Sequence, residues 1–275
     1  MQVEKITPVL GGLVSGVDLG QPLSKDQHAE IEQALHDHQV LFFRDQKITE
    51  DQHRDFGALF GPLHIHPIYP RSDAAPEVMI LDTALNDLRD NAVWHTDVSF
   101  EETPPLGSIL VARKLPPVGG DTLWSSATAA YEGLSEPLKQ MLDGMKATHD
   151  IAKSFPAERF GADEASRERL DQIKRANRPF SHPVIRTHPA TGKKAIYVNE
   201  AFTTRIEGLD AAASESLLAL LYRQIGLPEY SLRWKWRVGD VAMWDNRITQ
   251  HYAVDDYRPQ HRIMHRVTII GERPV

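Results

Sequence analysis

The 275-residue chain contains no cysteine. That excludes disulfides, thiolate-held iron–sulfur clusters and cysteine zinc sites. Any metal must therefore be held by imidazole and carboxylate. No apolar run approaches the roughly 20 residues needed to span a bilayer. The start, Met1-Gln2-Val3-Glu4-Lys5, lacks the basic opening and apolar stretch of a signal peptide. A cytoplasmic protein with no membrane association is the expectation. Surplus positive charge is also missing: 31 Lys and Arg face 38 Asp and Glu, a formal charge of −7. That argues against a nucleic-acid partner, which needs a basic face. There is no internal repeat and no low-complexity linker. The remainder, 41% hydrophobic and 25% charged, is an ordinary globular balance. It is long enough to bury a substantial core and reads as one domain over residues 1–275. Histidine is plentiful at 13 residues, most of them expected on the surface.

Ser24-Lys25-Asp26-Gln27 and Thr49-Glu50-Asp51-Gln52 are capping boxes. Each precedes apolar residues at helical spacing: Ile31, Ala34 and Leu35 after the first, Phe56, Leu59 and Phe60 after the second. Between them Val40-Leu41-Phe42-Phe43 reads as a buried strand. Further strands are expected at Ser108–Ala112, Thr122–Trp124, Ala195–Val198, Val241–Trp244 and Val267–Ile270. Turns are expected at Gly119-Gly120 and Thr191-Gly192-Lys193. Trp234, Trp236 and Val238 alternate with Arg233, Lys235 and Arg237, the pattern of a half-buried strand. Two helices interrupt the strands, one after Ser135 and one carrying Leu217 to Ile225. Residues 157–179 are charged and poorly periodic and read as a mobile excursion. The pattern predicts an all-β core with helical decoration, best matched by a double-stranded β-helix, or jelly roll.

An oxygen-activating Fe(II) site needs two neutral imidazoles and one carboxylate on one face, with the other positions open. On a strand, residues i and i+2 point to the same side, so His-x-Asp supplies two ligands to one ion. The chain has two such triplets. His53-Arg54-Asp55 lies in the second helix, where i and i+2 point roughly 200° apart; it cannot chelate and reads as solvated helix surface. His95-Thr96-Asp97 lies among β-branched and aromatic residues and reads as strand. Its bland alternative is a buried, hydrogen-bonded His–Asp pair. The third ligand must come from elsewhere. His251, His182, His188, His261 and His265 all compete, and periodicity does not choose between them.

Four longer segments carry a resemblance. They are Trp94-His95-Thr96-Asp97-Val98-Ser99-Phe100, Gly119-Gly120-Asp121-Thr122-Leu123-Trp124, Val198-Asn199-Glu200-Ala201-Phe202-Thr203-Thr204-Arg205-Ile206, and Trp244-Asp245-Asn246-Arg247-Ile248-Thr249-Gln250-His251-Tyr252. Together they resemble the taurine dioxygenase family of Fe(II)/2-oxoglutarate oxygenases, from near Ile6 to Gly271. The resemblance implies a jelly roll, with His95, Asp97 and His251 as iron ligands and catalytic centre. It implies Thr122 and Arg262 on 2-oxoglutarate, where a planar guanidinium suits a carboxylate better than lysine does. Without the family, Arg262 would read as a surface ion pair. His64-Ile65-His66-Pro67-Ile68-Tyr69-Pro70 resembles the family's substrate loop. The resemblance places His66, Arg266 and the Val98 N–H on a sulfonate, Tyr69 and Asn91 on its amine, and Phe155 and Phe202 as aromatic walls. A second metal site at His64 and His66 is the minor alternative, and core packing is the bland one for the phenylalanines. His261 departs from the pattern, where another basic residue, often arginine, is expected.

The implied reaction is hydroxylation of taurine at the carbon bearing sulfur. It consumes 2-oxoglutarate and O2 and releases sulfite, aminoacetaldehyde, succinate and CO2, a route to sulfur acquisition. The rival is a sister oxygenase acting on an alkyl sulfate ester, another sulfonate or an aryloxyacetate. A rival of another class is a non-oxidative metal-binding jelly roll. The expected partner is a small sulfonate, and the expected assembly is a homo-oligomer, dimer or tetramer.

Overall fold

Both capping boxes form. Ser24 and Thr49 accept hydrogen bonds from the backbone N–H of Gln27 and Gln52, and both glutamines reach back to the caps. The computed structural model describes residues 1–85, 88–161 and 163–275. The strands are β1 (Gln2–Lys5), β2 (Gly12–Ser15), β3 (Val40–Phe43), β4 (Met79–Asp82), β5 (Gly107–Lys114), β6 (Thr122–Ser126), β7 (Lys146–His149), β8 (Phe180–Pro183), β9 (Ile185–Thr187), β10 (Lys194–Ile196), β11 (Thr203–Ile206), β12 (Ser231–Trp234), β13 (Val241–Asp245), β14 (Thr249–Ala253) and β15 (Ile263–Ile269). The helices are α1 (Lys25–His38), α2 (Glu50–Ala58), α3 (Ala127–Glu132), α4 (Glu136–Leu142), α5 (Ala157–Phe160), α6 (Glu164–Ala176) and α7 (Ala211–Ile225). Among the described residues no helix is long and apolar enough to cross a membrane.

One sheet has the order β1-β2-β3-β13-β5-β15-β4, and a smaller one β12-β6-β14. They pack face to face through aromatic side chains. Phe42 stacks on Trp234 with ring centroids 3.9 Å apart, and Trp124 lies edge-on to Trp244 at 5.7 Å. The outer face of the large sheet is covered by α1 and α2, whose Ile31, Leu35 and Phe56 pack on Leu41, Phe43, Ile109, Val111, Val241 and Met243. Both faces are thus buried, which explains why β3 reads as an unbroken apolar run rather than an alternation. Gly57 lets α2 settle on this sheet, since a Cβ there would come within 2.7 Å of Val267. The architecture is the expected jelly roll with helical decoration.

Three local features differ from what the sequence pattern alone suggests. The strand at Trp234 stops there; Trp236 is buried but Val238 is 63% exposed, and the chain turns at Gly239 (φ 87°). The poorly periodic 157–179 stretch contains, among its described residues, α5 and α6, with Asp163 capping α6 and Leu170 buried. Charge on α6's other faces hides its short apolar stripe. His53 is not on the surface. It is fully buried, with its Nε2–H donating to the Ile109 carbonyl at 3.0 Å, while Asp55 stays exposed beside Arg54.

Burial pushes the His53 imidazole down to about 3, against partial compensation from the Ile109 carbonyl. Above the unfolded value near 6.5 both states are neutral. Below it the unfolded chain takes up a proton that the folded chain refuses, so stability falls from pH 6.5 toward 3. His53→Gln keeps a donor for Ile109 but cannot titrate. Urea unfolding should show the wild type losing about 2 kcal/mol more than the variant between pH 8 and pH 5.

Candidate active site

An isolated antiparallel bridge joins His95 to His251. The His95 N–H donates to the His251 carbonyl at 3.0 Å, and the His251 N–H donates back at 2.8 Å. His251 lies on β14, paired with Trp124 of β6. The His95-Thr96-Asp97 segment is therefore not a strand: one bridge residue leads straight into a turn. The two side chains still converge. His95 Nε2 lies 4.0 Å, and His251 Nε2 3.8 Å, from Asp97 Oδ1. These separations are below twice a metal–ligand bond of about 2.1 Å, so an ion fits between all three.

The donor set has the right chemistry. The Val93 carbonyl, 2.8 Å from His95 Nδ1, can only accept, so Nδ1 carries the proton and Nε2 presents its lone pair toward Asp97. Burial, then His95 and Arg266, hold His251 well below its usual value despite Asp97, so it is a neutral imidazole. For Asp97, burial opposes ionisation. Arg266, both histidines and the Ser108 hydroxyl outweigh it and keep the carboxyl far below the ordinary range. Arg266 Nη1 donates to Asp97 Oδ1 at 2.6 Å, and Ser108 Oγ to Oδ2 at 2.9 Å. Asn246 holds the backbone of the same residue: its Oδ1 accepts the Asp97 N–H and its Nδ2 donates to the Asp97 carbonyl, both at 3.0 Å. Ser108 and Asn246 are functional residues that the sequence alone does not single out. Asn246 had a visible signal, being a polar residue within the Trp244-Asp245-Asn246-Arg247 motif; Ser108 had none.

Two cavities meet here. One is lined by Thr122, Asn91, His251, Tyr257, Arg262 and Arg266. The other, narrower, is lined by His66, Tyr69, Asn91, His95, Asp97, Val98, Phe155, Phe202 and Arg266. All twelve residues singled out by the sequence are thus brought together, and Arg262 and Arg266 face one space although β15 begins only at Ile263. Arg262 is buried, and its Nε and Nη2 have no hydrogen-bond partner. Such a charge calls for an anion. Arg266 has Nη1 on Asp97, while its Nε is likewise unpartnered. His66 Nδ1 accepts the Ile68 N–H at 3.2 Å, so its proton sits on Nε2. Burial, then Arg266, keep this ring neutral. Val98, buried, has φ 53°, a strained conformation for a β-branched residue.

The competing histidines are otherwise engaged. The His182 Nε2–H donates to the Glu101 carbonyl, and His261 lies 2.6 Å from Asp82. His265 Nδ1 lies 3.3 Å from Glu50 Oε1. His64 Nε2 contacts Glu101 rather than sharing a ligand with His66. His36, His188 and Asp245 form a second ligand-like group. There the His188 Nδ1 accepts from the Thr191 N–H, so its Nε2–H donates to Asp245, and Arg247 grips both carboxylate oxygens. That carboxylate is already saturated by cationic and neutral donors.

The sequence matches the family described as "Taurine catabolism dioxygenase TauD, TfdA family" over residues 2–268. It is 39% identical, over 100% of this chain and 91% of the relative, to an alpha-ketoglutarate-dependent sulfate ester dioxygenase from Pseudomonas putida. It is 37% identical, over 99% and 86%, to an alkylsulfatase from Acinetobacter baylyi. The crystal structure of a taurine dioxygenase from Burkholderia xenovorans superposes with TM-score 0.84 at 36% identity, over 100% and 92% of the two chains. AAD-2, determined with Mn(II) and N-oxalylglycine, gives 0.85 at 28%, over 99% and 98%. The chain belongs to the TauD/TfdA family and is an alpha-ketoglutarate-dependent dioxygenase, a class that works with Fe(II), 2-oxoglutarate and O2.

Asp97→Ala should abolish turnover and weaken Fe(II) binding at least tenfold, read by anaerobic metal titration, whereas Asp55→Ala should leave both within about twofold of wild type. Loss confined to the Asp55 variant would overturn the ligand assignment.

Proposed function

We propose that the enzyme hydroxylates taurine at the carbon bearing sulfur, with iron held by His95, Asp97 and His251. The observation that carries this reading is Arg266. Its guanidinium lies against the ligand carboxylate and lines the narrow cavity, and its Nε–H has no partner. An anionic head group seated on that fork would hold its neighbouring carbon beside the metal. A sulfonate is anionic at any cellular pH and offers three acceptors, which suits a permanent charge plus further donors. The neutral His66 supplies an Nε2–H, and the strained Val98 turn offers its backbone N–H. Tyr69 and Asn91 take the amine, and Phe155 and Phe202 exclude water.

On the other side, Arg262 and Thr122 bind the distal carboxylate of 2-oxoglutarate. Bound iron supplies oxygen activation coupled to decarboxylation of 2-oxoglutarate to succinate and CO2. One oxygen atom enters succinate and the other becomes the new hydroxyl. The hydroxylated carbon still bears the sulfonate, and the adduct collapses to sulfite and aminoacetaldehyde.

A second reading has its own support. The relatives from Pseudomonas putida and Acinetobacter baylyi are named for sulfate esters. Asp97 is also the one carboxylate among the described residues lining the narrow cavity, so an ammonium group has no dedicated counter-ion there. An alkyl sulfate would place the same oxyanion on Arg266 and an apolar chain between Phe155 and Phe202. The products separate the readings: a sulfonate yields sulfite, whereas an ester hydroxylated at its oxygen-bearing carbon yields sulfate.

With taurine as the best substrate of a panel including an alkanesulfonate, an alkyl sulfate and an aryloxyacetate, sulfite release should match succinate formation one to one. Sulfate release at higher kcat/KM from the ester would replace taurine by the second reading. Arg262→Lys should raise the KM for 2-oxoglutarate at least tenfold, about 1.4 kcal/mol, with the taurine KM nearly unchanged. A change confined to taurine would exchange the roles of Arg262 and Arg266.

A further inference from the structure

Trp236 sits directly after β12, where the alternating pattern predicted more strand. The strand ends at Trp234, yet the indole stays buried, in contact with Trp124 and Thr122 of β6. Its ring packs 6.1 Å from that of Trp124. Its Nε1–H donates to Thr122 Oγ1 at 3.0 Å, inside the protein. Thr122 lines the wider cavity with Arg262; Trp236 does not line it. The indole therefore stands behind the threonine.

A hydroxyl has one proton and two acceptor sites, and an indole N–H can only donate. The polarity of the contact is fixed: Thr122 accepts from Trp236, and its own proton is left for something else. With the lone-pair side of the hydroxyl turned toward the indole, the proton is biased toward the cavity. We propose that Trp236 is a positioning residue that sets the Thr122 hydroxyl as a donor to the carboxylate of 2-oxoglutarate. This rests on the reading that Thr122 contacts the cosubstrate.

The size of the effect follows from what is lost. Without the indole N–H, the Thr122 hydroxyl can turn among three staggered orientations. It is also no longer polarised by an incoming donor. The lone pair left bare by Trp236→Phe is buried with or without cosubstrate, so that penalty falls on folding and cancels in binding. Only the orientation appears in the affinity, and a weakening of about three- to tenfold is expected. A residue acting through packing alone would behave differently, because its effect would not depend on the threonine hydroxyl.

The test is a double-mutant cycle on cosubstrate affinity. Anaerobic titration of 2-oxoglutarate into the Fe(II)-loaded protein, followed by the visible charge-transfer band, gives Kd for wild type, Trp236→Phe, Thr122→Val and the double variant. Thr122→Val should weaken binding. Trp236→Phe should weaken it about three- to tenfold in the wild-type background and not at all in the Thr122→Val background. Steady-state kinetics should place the Trp236→Phe effect in the KM for 2-oxoglutarate, leaving kcat and the KM for the sulfur substrate within twofold. Equal weakening in both backgrounds would make Trp236 a packing residue and overturn the proposal. So would an unchanged Kd in Trp236→Phe alongside a weakened Thr122→Val. An unchanged Kd in Thr122→Val would remove the placement of Thr122 on the cosubstrate, and the proposal with it.

Discussion

The two hydrogen bonds between the backbones of His95 and His251 are the constraint on which the candidate centre depends. They join a loop that precedes β5 to a strand near the end of the chain. Neither side alone assembles a ligand set: His251 brings one imidazole on a rigid strand, whereas His95 and Asp97 arrive on a bridge residue and a turn. The bridge fixes the first ring relative to the second. The Asn246 side chain then supplies the backbone contacts that a neighbouring strand would have given Asp97. Asn246 and His251 both come from the β13–β14 connection and its strand. Both halves of the centre are thereby referenced to one short stretch of chain.

The large sheet determines what surrounds that centre. Because α1 and α2 cover one of its faces, its period-two alternation divides residues between two buried environments. Ile109, Val111 and Val267 face away from the cavity side. Ser108, Leu110, Arg266 and Thr268 face the smaller sheet. A guanidinium on that inner face would ordinarily be untenable. It is tolerated because Asp97 sits 2.6 Å away, and the carboxylate is in turn kept ionised by the arginine. Arg262 has no such internal partner for two of its nitrogens. The cavity side of the sheet thus carries two arginines, one anchored by a protein carboxylate with its Nε left over and one with two nitrogens unpartnered.

Much of this was legible beforehand, for identifiable reasons. Capping boxes are local, so α1 and α2 announced themselves. β3 and β13 are short apolar runs with turn residues near them. The motifs around His95, Thr122 and His251 are long enough that resemblance could place residues which periodicity could not rank among five histidines. What escaped was long-range or hidden by composition. His53 looked like helix surface beside Arg54 and Asp55, but its neighbour across the sheet, Ile109, offers a carbonyl no local pattern reveals. α6 is so charged that Leu170 and Ile173 are easily overlooked. Trp236 continued an alternation that the strand itself did not. The turn at Asp97 resembles strand in sequence because chelation by His-x-Asp is easiest there; an asparagine from elsewhere in the fold supplies the same support.

The position of the triad in the chain has a bearing on a molecule without a single thiol. An ion held jointly by Asp97 and His251 closes a loop of more than half the sequence. Tying off so long a loop removes conformational freedom from the unfolded ensemble, and metal affinity gained on folding becomes folding free energy. The centre would then act as a reversible cross-link, one whose strength is set by iron supply rather than by oxidation. For an organism living on scarce iron, the resting lifetime of the fold and the capacity to turn over substrate would rise and fall together.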